Sequence, residues 1–192
     1  ELIEPHVSLA EIYRARKEND KAISHYQTVI RKQPEFTQTY IESGLLYEAE
    51  GKEAKARAMY EKALEINPDF APAANNLAYL LAQTDEDPDR ALRLAKKAKA
   101  QLPDDPGIAD TLGLALIGKG YYPTAISELN DASEKLSQNP TVFYHLGLAH
   151  WRSGDKEKAL EALSKALDMN QDFPEKEKTR KLLRVIEEEK EG

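Results

Sequence analysis

The chain has 192 residues, with 27 Lys and Arg against 34 Asp and Glu, a formal charge of −7 and no cysteine. The acidic balance argues against general nucleic-acid binding, because a phosphate backbone would be repelled. Without cysteine there is no disulfide, zinc–thiolate site or cysteine nucleophile. No apolar run approaches the roughly 18 residues of a membrane span, so direct membrane insertion of this segment is not expected. No signal peptide is visible, and the initial Glu1 reads as the start of a fragment or processed form.

Residues 3–36 read as a helix pair. His6, Leu9, Ala10 and Tyr13 mark the first helix, and Ala22, Tyr26, Val29 and Ile30 the second. Glu18-Asn19-Asp20 supplies residues that tolerate a tight turn, and Pro34 ends the unit. Residues 37–70 repeat the plan. Tyr40, Leu45, Tyr47 and Ala49 carry the first helix, Gly51 sits where it must end, and Ala56, Tyr60, Ala63 and Leu64 form a helical stripe on the second. Pro68 stops that helix and pushes Asn67 out of the α region. Ser43 and Gly44 are small and lie in mid-helix. Glycine there costs about 1 kcal/mol relative to alanine, so the spacing predicts a close neighbour that needs the room, with Ala56 as the candidate.

Residues 71–105 form a third pair with a turn one residue longer, Gln83 to Pro88. Asp87-Pro88 suits an N-cap followed by proline at the first helical position. Ala91, Leu94, Ala95 and Ala98 mark the second helix, with Lys96, Lys97 and Lys99 on its wet face. Residues 106–139 carry Leu112, Gly113 and Leu116, then Tyr121-Tyr122-Pro123, Ala125, Leu129 and Ala132. Residues 140–173 carry Leu146, Gly147, Ala159, Leu163, Ala166 and Leu167. Residues 174–192 differ: Pro174 opens a lysine- and glutamate-rich helix whose few apolar residues are Leu182, Leu183, Val185 and Ile186. Lys176, Lys178, Arg180 and Lys181 offer a basic run, but Glu175, Glu177 and Glu187 to Glu189 dilute it, which fits a solvated cap.

Small residues recur at Ala10, Gly44, Ala78, Gly113 and Gly147, with intervals of 34, 34, 35 and 34. A fixed period in this range marks a solenoid. Chemistry-bearing patterns are weak by contrast. Gly113 to Gly120 nearly spells a phosphate-binding loop, but it lacks the preceding strand and the hydroxyl that follows the lysine. His145 and His150 are five apart and do not share a helix face as an i, i+4 ligand pair does. Asp85, Glu86, Asp87 and Asp89 lack the glycine and final glutamate of a calcium loop, and no serine stands on a nucleophile elbow. No catalytic set, metal site or cofactor site is expected.

The 34-residue skeleton closely resembles the tetratricopeptide repeat (TPR), a helix-turn-helix unit, in five copies covering residues 3–173. The resemblance implies an all-α, right-handed α-solenoid of five repeats (3–36, 37–70, 71–105, 106–139 and 140–173) and a C-terminal capping helix (174–192). It also implies binding rather than chemistry. By the family pattern the first helix of each pair lines a concave groove. Val7, Glu11, Arg14, Ile41, Glu42, Leu45 and Glu48 fall in its early part. Asn75, Asn76, Tyr79 and Gln83, then Asp110, Thr111, Leu114 and Ile117, fall in the middle. Tyr144, His145, Leu148, Trp151 and Arg152 fall at the end.

Trp, Tyr and Leu beside Asn and Arg are what a protein-binding hot spot needs, whereas packing of Trp151 and Tyr144 against the capping helix is the bland alternative. TPR domains that clamp a chaperone's terminal carboxylate use lysine, asparagine and arginine in three successive repeats. No lysine stands at these groove positions. The stretch from Asn75 to Leu163, with NNLAYLLA, LPDDPGIADTLGLAL and FYHLGLAHWRSGDKEKAL, also looks like bacterial TPR proteins of exosortase sorting, exopolysaccharide export or envelope assembly. These likenesses imply a protein or peptide partner held in the groove. The alternative is a self-assembling scaffold that organises an envelope, secretion or exopolysaccharide complex. Homo-oligomers, open or closed, are compatible with either. The compartment implied is bacterial cytoplasm or the periplasm and envelope, decided by segments outside this chain.

Overall fold

The computed structural model describes residues 2–84 and 86–191, so Asp85 in the long turn lies outside the described residues, as do Glu1 and Gly192. Eleven helices follow in order among them: α1 (Glu4–Ala15), α2 (Asn19–Lys32), α3 (Thr37–Ala49), α4 (Glu53–Ile66), α5 (Ala71–Thr84), α6 (Pro88–Gln101), α7 (Pro106–Gly118), α8 (Tyr122–Lys135), α9 (Pro140–Ser153), α10 (Lys156–Asp168) and α11 (Lys176–Glu191). No strand occurs among the described residues. Odd and even helices pair as hairpins up to α9–α10. Each hairpin packs on the next, α5 meets α7, α7 meets α9, and α11 docks on α10. Helix packing therefore runs mainly between neighbouring units, and five hairpins with a terminal cap make an α-solenoid.

Helix starts are built differently along the chain. Asp87 accepts from the Arg90 amide at 2.9 Å, Asp105 from the Gly107 and Ile108 amides at 2.8 and 3.1 Å, Asn139 from Thr141 at 3.1 Å and Asp155 from Lys158 at 3.1 Å. These side chains satisfy amide donors that a helix cannot serve itself. Pro88, Pro106 and Pro140 follow three of them, where a missing N–H costs nothing. Helices α1 to α4 begin without a side-chain cap bond.

The hairpin turns place one residue in the left-handed region: Gly51 (φ 69°), Gly120 (φ 76°) and Gly154 (φ 90°). In the first hairpin that place is held by Lys17 at φ 60°. The strained position thus precedes Glu18-Asn19-Asp20, and Asn19 and Asp20 already belong to α2.

The seam within each hairpin is tight, but not against the residue the spacing suggests. A Cβ on Gly44 would collide with the Tyr60 ring, one on Gly113 with Leu129 and one on Gly147 with Leu163, each at under 3.0 Å. The glycine makes room for a large side chain sixteen residues on, rather than for Ala56. At Gly147 the Ala56-type position is also close, through the Ala159 carbonyl oxygen at 3.2 Å. Ala56, Ala125 and Ala159 are themselves fully buried. In the third hairpin Ala78 takes the glycine's place, the equivalent facing position is Ala95, and both are buried in one cluster. The third hairpin thus meets its seam with two small side chains where the second, fourth and fifth set a glycine against Tyr60, Leu129 or Leu163.

Candidate functional site: the groove along the odd-numbered helices

The odd-numbered helices lay their side chains along one face, which holds two cavities. The first, of about 320 Å³, is lined by Leu45, Glu48, Asn75, Asn76, Tyr79, Asp110, Thr111, Asn139 and Thr141. The second, of about 270 Å³, is lined by Ala82, Leu114, Ile117, Gly118, Tyr122, Leu148 and Arg152. The sequence-derived groove positions therefore divide between a cavity set with Asn75, Asn76, Asp110 and Thr111 and one lined by Leu114, Ile117, Leu148 and Arg152.

In the first cavity, Asn75 Nδ2 donates to Asn76 Oδ1 at 3.3 Å. Asn75 Oδ1 is buried and finds no donor among the described residues. Glu48 accepts from the Tyr60 hydroxyl at 2.6 Å. Burial pushes the Glu48 carboxyl up, with the Tyr60 hydrogen bond opposing. Further towards the amino end, Arg14 pairs with Glu42 at 3.0 Å. Thr111 is buried and its hydroxyl donates to the Gly107 carbonyl at 3.1 Å.

Beneath the cavity lies a polar network that joins three hairpins and the cap. His145 is 1% exposed, and its Nδ1 stands 2.8 Å from Asp110 Oδ1. Burial, the largest influence, pulls the imidazole down. The Asp110 charge and hydrogen bond, helped by Glu175, outweigh it and raise the His145 pKa above its ordinary value, with Lys178 opposing. Nδ1 then donates to a paired carboxylate, which is how a buried charge is tolerated. Glu175, just before α11, is buried too. Its carboxylate accepts from Thr141 Oγ1 at 3.0 Å and from the Tyr79 hydroxyl at 3.4 Å. Burial raises the Tyr79 phenol, and the Glu175 and Asp110 charges raise it further.

This network changes the roles of several sequence-derived site residues. His145 is sealed off and positions Asp110. Ile41 is buried in the core rather than presented to the groove. Tyr144 and Trp151 pack with Leu182 and Leu183 on the Ala159, Leu163 and Ile186 cluster, under the capping helix. The Arg152 guanidinium lies 5.0 Å from the Trp151 ring centroid. The half-buried Asn75, Asn76, Tyr79 and Leu148, with exposed Arg152, keep reachable surface. Glu175 and Thr141 were not among the sequence-derived site residues. Glu175 sits in a mixed-charge run that reads as solvated, and Thr141 holds the second position of its repeat, which the family pattern also turns to the groove but which that set leaves out.

His150 is the opposite case to His145. It is buried, its Nδ1 has no hydrogen-bond partner, and Asp155 is 3.9 Å away. Burial lowers its pKa, and Asp155 only partly offsets that. Among the described residues no group of three or more His, Asp or Glu side chains is arranged to hold a metal ion, and no helix is long and apolar enough to cross a membrane.

Comparison with known proteins agrees with this architecture. Family models described as tetratricopeptide repeat match residues 6–37, 37–70, 59–93 and 140–173. The chain is 29% identical over 167 residues to BBSome complex member BBS4 of Bos taurus, covering 85% of this chain and 31% of that protein. It is 31% identical over 137 residues to the type IV pilus assembly protein PilF of Pseudomonas aeruginosa, covering 70% of this chain and 54% of that one. The chain thus spans about a third to about half of the length of these relatives.

Among solved structures it is similar to YrrB, a TPR protein with an unusual peptide-binding site (TM-score 0.66, 24% identity, 86% of this chain and 84% of that one). It is also similar to PilW, a type IV pilus biogenesis factor (TM-score 0.75, 19% identity, 90% and 79%), and to MamA of Desulfovibrio magneticus RS-1 (TM-score 0.71, 19% identity, 89% and 97%). At these identities the structural likeness speaks for the fold alone. With repeat matches at both ends of the array and helix pairs throughout, the chain belongs to the tetratricopeptide repeat family.

Proposed function

We propose that this chain is a non-enzymatic interaction module that holds an extended peptide or protein segment along the odd-numbered helices. Asn75, Asn76 and Tyr79 serve one end of the segment, and Leu114, Leu148 and Arg152 the other. The observation that carries this reading is the cavity of about 320 Å³ lined by Asn75, Asn76 and Tyr79, three half-buried side chains that keep reachable surface. An asparagine side chain offers both donor and acceptor to a peptide backbone, and Asn75 and Asn76 stand side by side. Leu114 and Ile117 are buried and show only their edges in the second cavity, so half-buried Leu148 supplies most of the apolar contact there. The similarity to YrrB, whose description names a peptide-binding site, supports the same reading.

The test uses a photo-crosslinking side chain at Asn76 and, as a control, at the exposed Lys62 on α4. Peptides captured from a random library should crosslink from position 76 and not from 62. In calorimetry with the selected peptide, Asn76→Ala should weaken binding by at least about 2 kcal/mol, the hot-spot threshold. Equal crosslinking from both positions, or unchanged affinity, would remove the groove assignment.

A second reading, a scaffold within a bacterial assembly complex, is favoured by the similarity to PilF and PilW. It makes the captured segment part of a larger assembly. Co-purification of an assembly in which Asn76→Ala has no effect would separate it from the first.

A further inference from the structure

The cavity of about 320 Å³ on the odd-numbered helices carries charge of one sign. Glu48 and Asp110 stand in its wall, and no lysine or arginine lines it among the described residues. Asp110 is answered from inside the protein by His145, at 2.8 Å. Glu48 has no such answer. Burial pushes its carboxyl up, the neutral Tyr60 hydroxyl opposes through its hydrogen bond, and Glu53 adds repulsion. The arginines of the groove are engaged elsewhere. Arg14 pairs with Glu42 at 3.0 Å, and Arg152 lines the other cavity, 5.0 Å from the Trp151 ring centroid.

An independent observation comes from behind the same wall. Glu175, which does not line the cavity, is only 4% exposed. Its two hydroxyl donors, Thr141 at 3.0 Å and Tyr79 at 3.4 Å, both line the cavity. Hydroxyls satisfy its lone pairs but leave its charge, and a buried charge is tolerated when another charge pairs it. Burial raises the Tyr79 and Tyr144 phenols, and the Glu175 charge raises both further, so its field reaches the groove. One buried imidazolium, His145, thus faces two buried carboxylates, Asp110 and Glu175. Lys178 also acts on His145, but it is exposed. The balance around the cavity is negative, and the whole chain, at −7, adds to it.

We propose that the cavity takes a lysine or arginine side chain of the bound segment, so that the partner is a basic peptide or basic protein loop. The cation enters between Glu48 and Asp110 with the Glu175 charge behind them, while Asn75 and Asn76 hold the backbone beside it. An acidic segment would meet like charges there, which is how complementarity excludes wrong partners. This inference rests on the peptide-binding reading of the groove and names the chemistry of its ligand.

The test extends the capture from position 76 with a second photo-crosslinking side chain at Leu148, in the other cavity. Peptides captured at 76 should be enriched in lysine or arginine over the starting library, and those captured at 148 should not. A captured lysine peptide is then compared with its acetyl-lysine form, which keeps the stem and loses the charge. Acetylation should weaken binding at least about tenfold, and added salt should narrow the gap. Glu48→Gln should weaken the lysine form by about the same factor and leave the acetylated form unchanged, with the helical circular dichroism intact. If that variant loses its helical signal, the acetylation comparison decides alone. Capture at 76 without the enrichment, enrichment at both positions, or equal affinity of the two peptide forms overturns the proposal and leaves the groove reading standing. So does a folded Glu48→Gln variant that binds the lysine form as the wild type does. Absence of capture at 76 removes the groove reading and this inference together.

Discussion

Ile12 and Ala149 occupy the same register position in the first and last hairpins, yet the former is nearly half exposed and the latter fully buried. The helices that carry them differ at their starts as well. Asn139 caps α9 and Asp155 caps its partner α10, whereas α1 and α2 have no side-chain cap bond. Such a cap contributes typically about 1 kcal/mol. One repeat pattern therefore yields hairpins of unequal standing, because a solenoid unit draws much of its stability from its neighbours. The last hairpin has a neighbour on each side, α11 serving as the second. The first has one.

The sharpest way to break this comparison is to place the same charge at equivalent positions. Leu46→Glu, in the buried seam of the second hairpin, should cost about 4 kcal/mol or more, since it buries an unpaired charge. Ile12→Glu should stay within about 0.5 kcal/mol, as exposed substitutions do. Urea titration of both variants decides it, and equal losses would contradict the difference in exposure of the two positions.

Next in size, Gly113→Ala drives a methyl into Leu129 and should cost about 1–3 kcal/mol by overpacking. Ala10→Gly at the equivalent position of the first hairpin should cost only about 1 kcal/mol, the helix-propensity difference. Thermal melts of the two variants compare the tightness of the two seams.

A third effect sets His145 against His150. The His145 pKa is raised by its partners, so its stabilisation is fully present below the unfolded value of about 6.5 and is lost as pH climbs through the folded value. The His150 pKa is lowered by burial, so its environment favours the fold above about pH 6.5 and penalises it as pH falls towards the folded value. The two slopes lie on opposite sides of about pH 6.5. His145→Gln should remove the fall in stability above that pH, and His150→Gln should remove the rise in stability below it. Parallel melts from pH 5 to pH 9 check the signs, and the same slope in both variants would contradict the assignment.

The smallest effect lies in the first turn. Lys17 holds a left-handed conformation that glycine holds in the second, fourth and fifth hairpins, and an L side chain there costs about 1–2 kcal/mol. Lys17→Gly should stabilise by about 0.5–1 kcal/mol after glycine's own entropy cost, visible as a rise in Tm.

Much of the fold could be read directly, because periodicity is local. The small residues from Ala10 to Gly147, the proline stops and the apolar stripes each record a 34-residue unit, and stacking such units is the one way to bury all their seams. The partner of Gly44 could not be read. Spacing suggests a small residue opposite a small one, whereas the missing side chain of Gly44 leaves room for the Tyr60 ring. The groove was partly legible. Asn75, Asn76 and Tyr79 follow from family position, but position alone does not say that Trp151 and Tyr144 lie under α11 or that His145 is sealed against Asp110.

By itself, the order of residues determined that the chain is helical, repeats about every 34 residues, ends in a capping helix and has no thiol chemistry. Each of these depends on neighbours within a turn or two. Tertiary structure alone decided that Asp110 meets His145 and that Glu175 reaches Tyr79 and Thr141. Those outcomes depend on which surfaces arrive opposite one another after stacking, and side chains 34 to 96 residues apart leave no shared pattern along the chain.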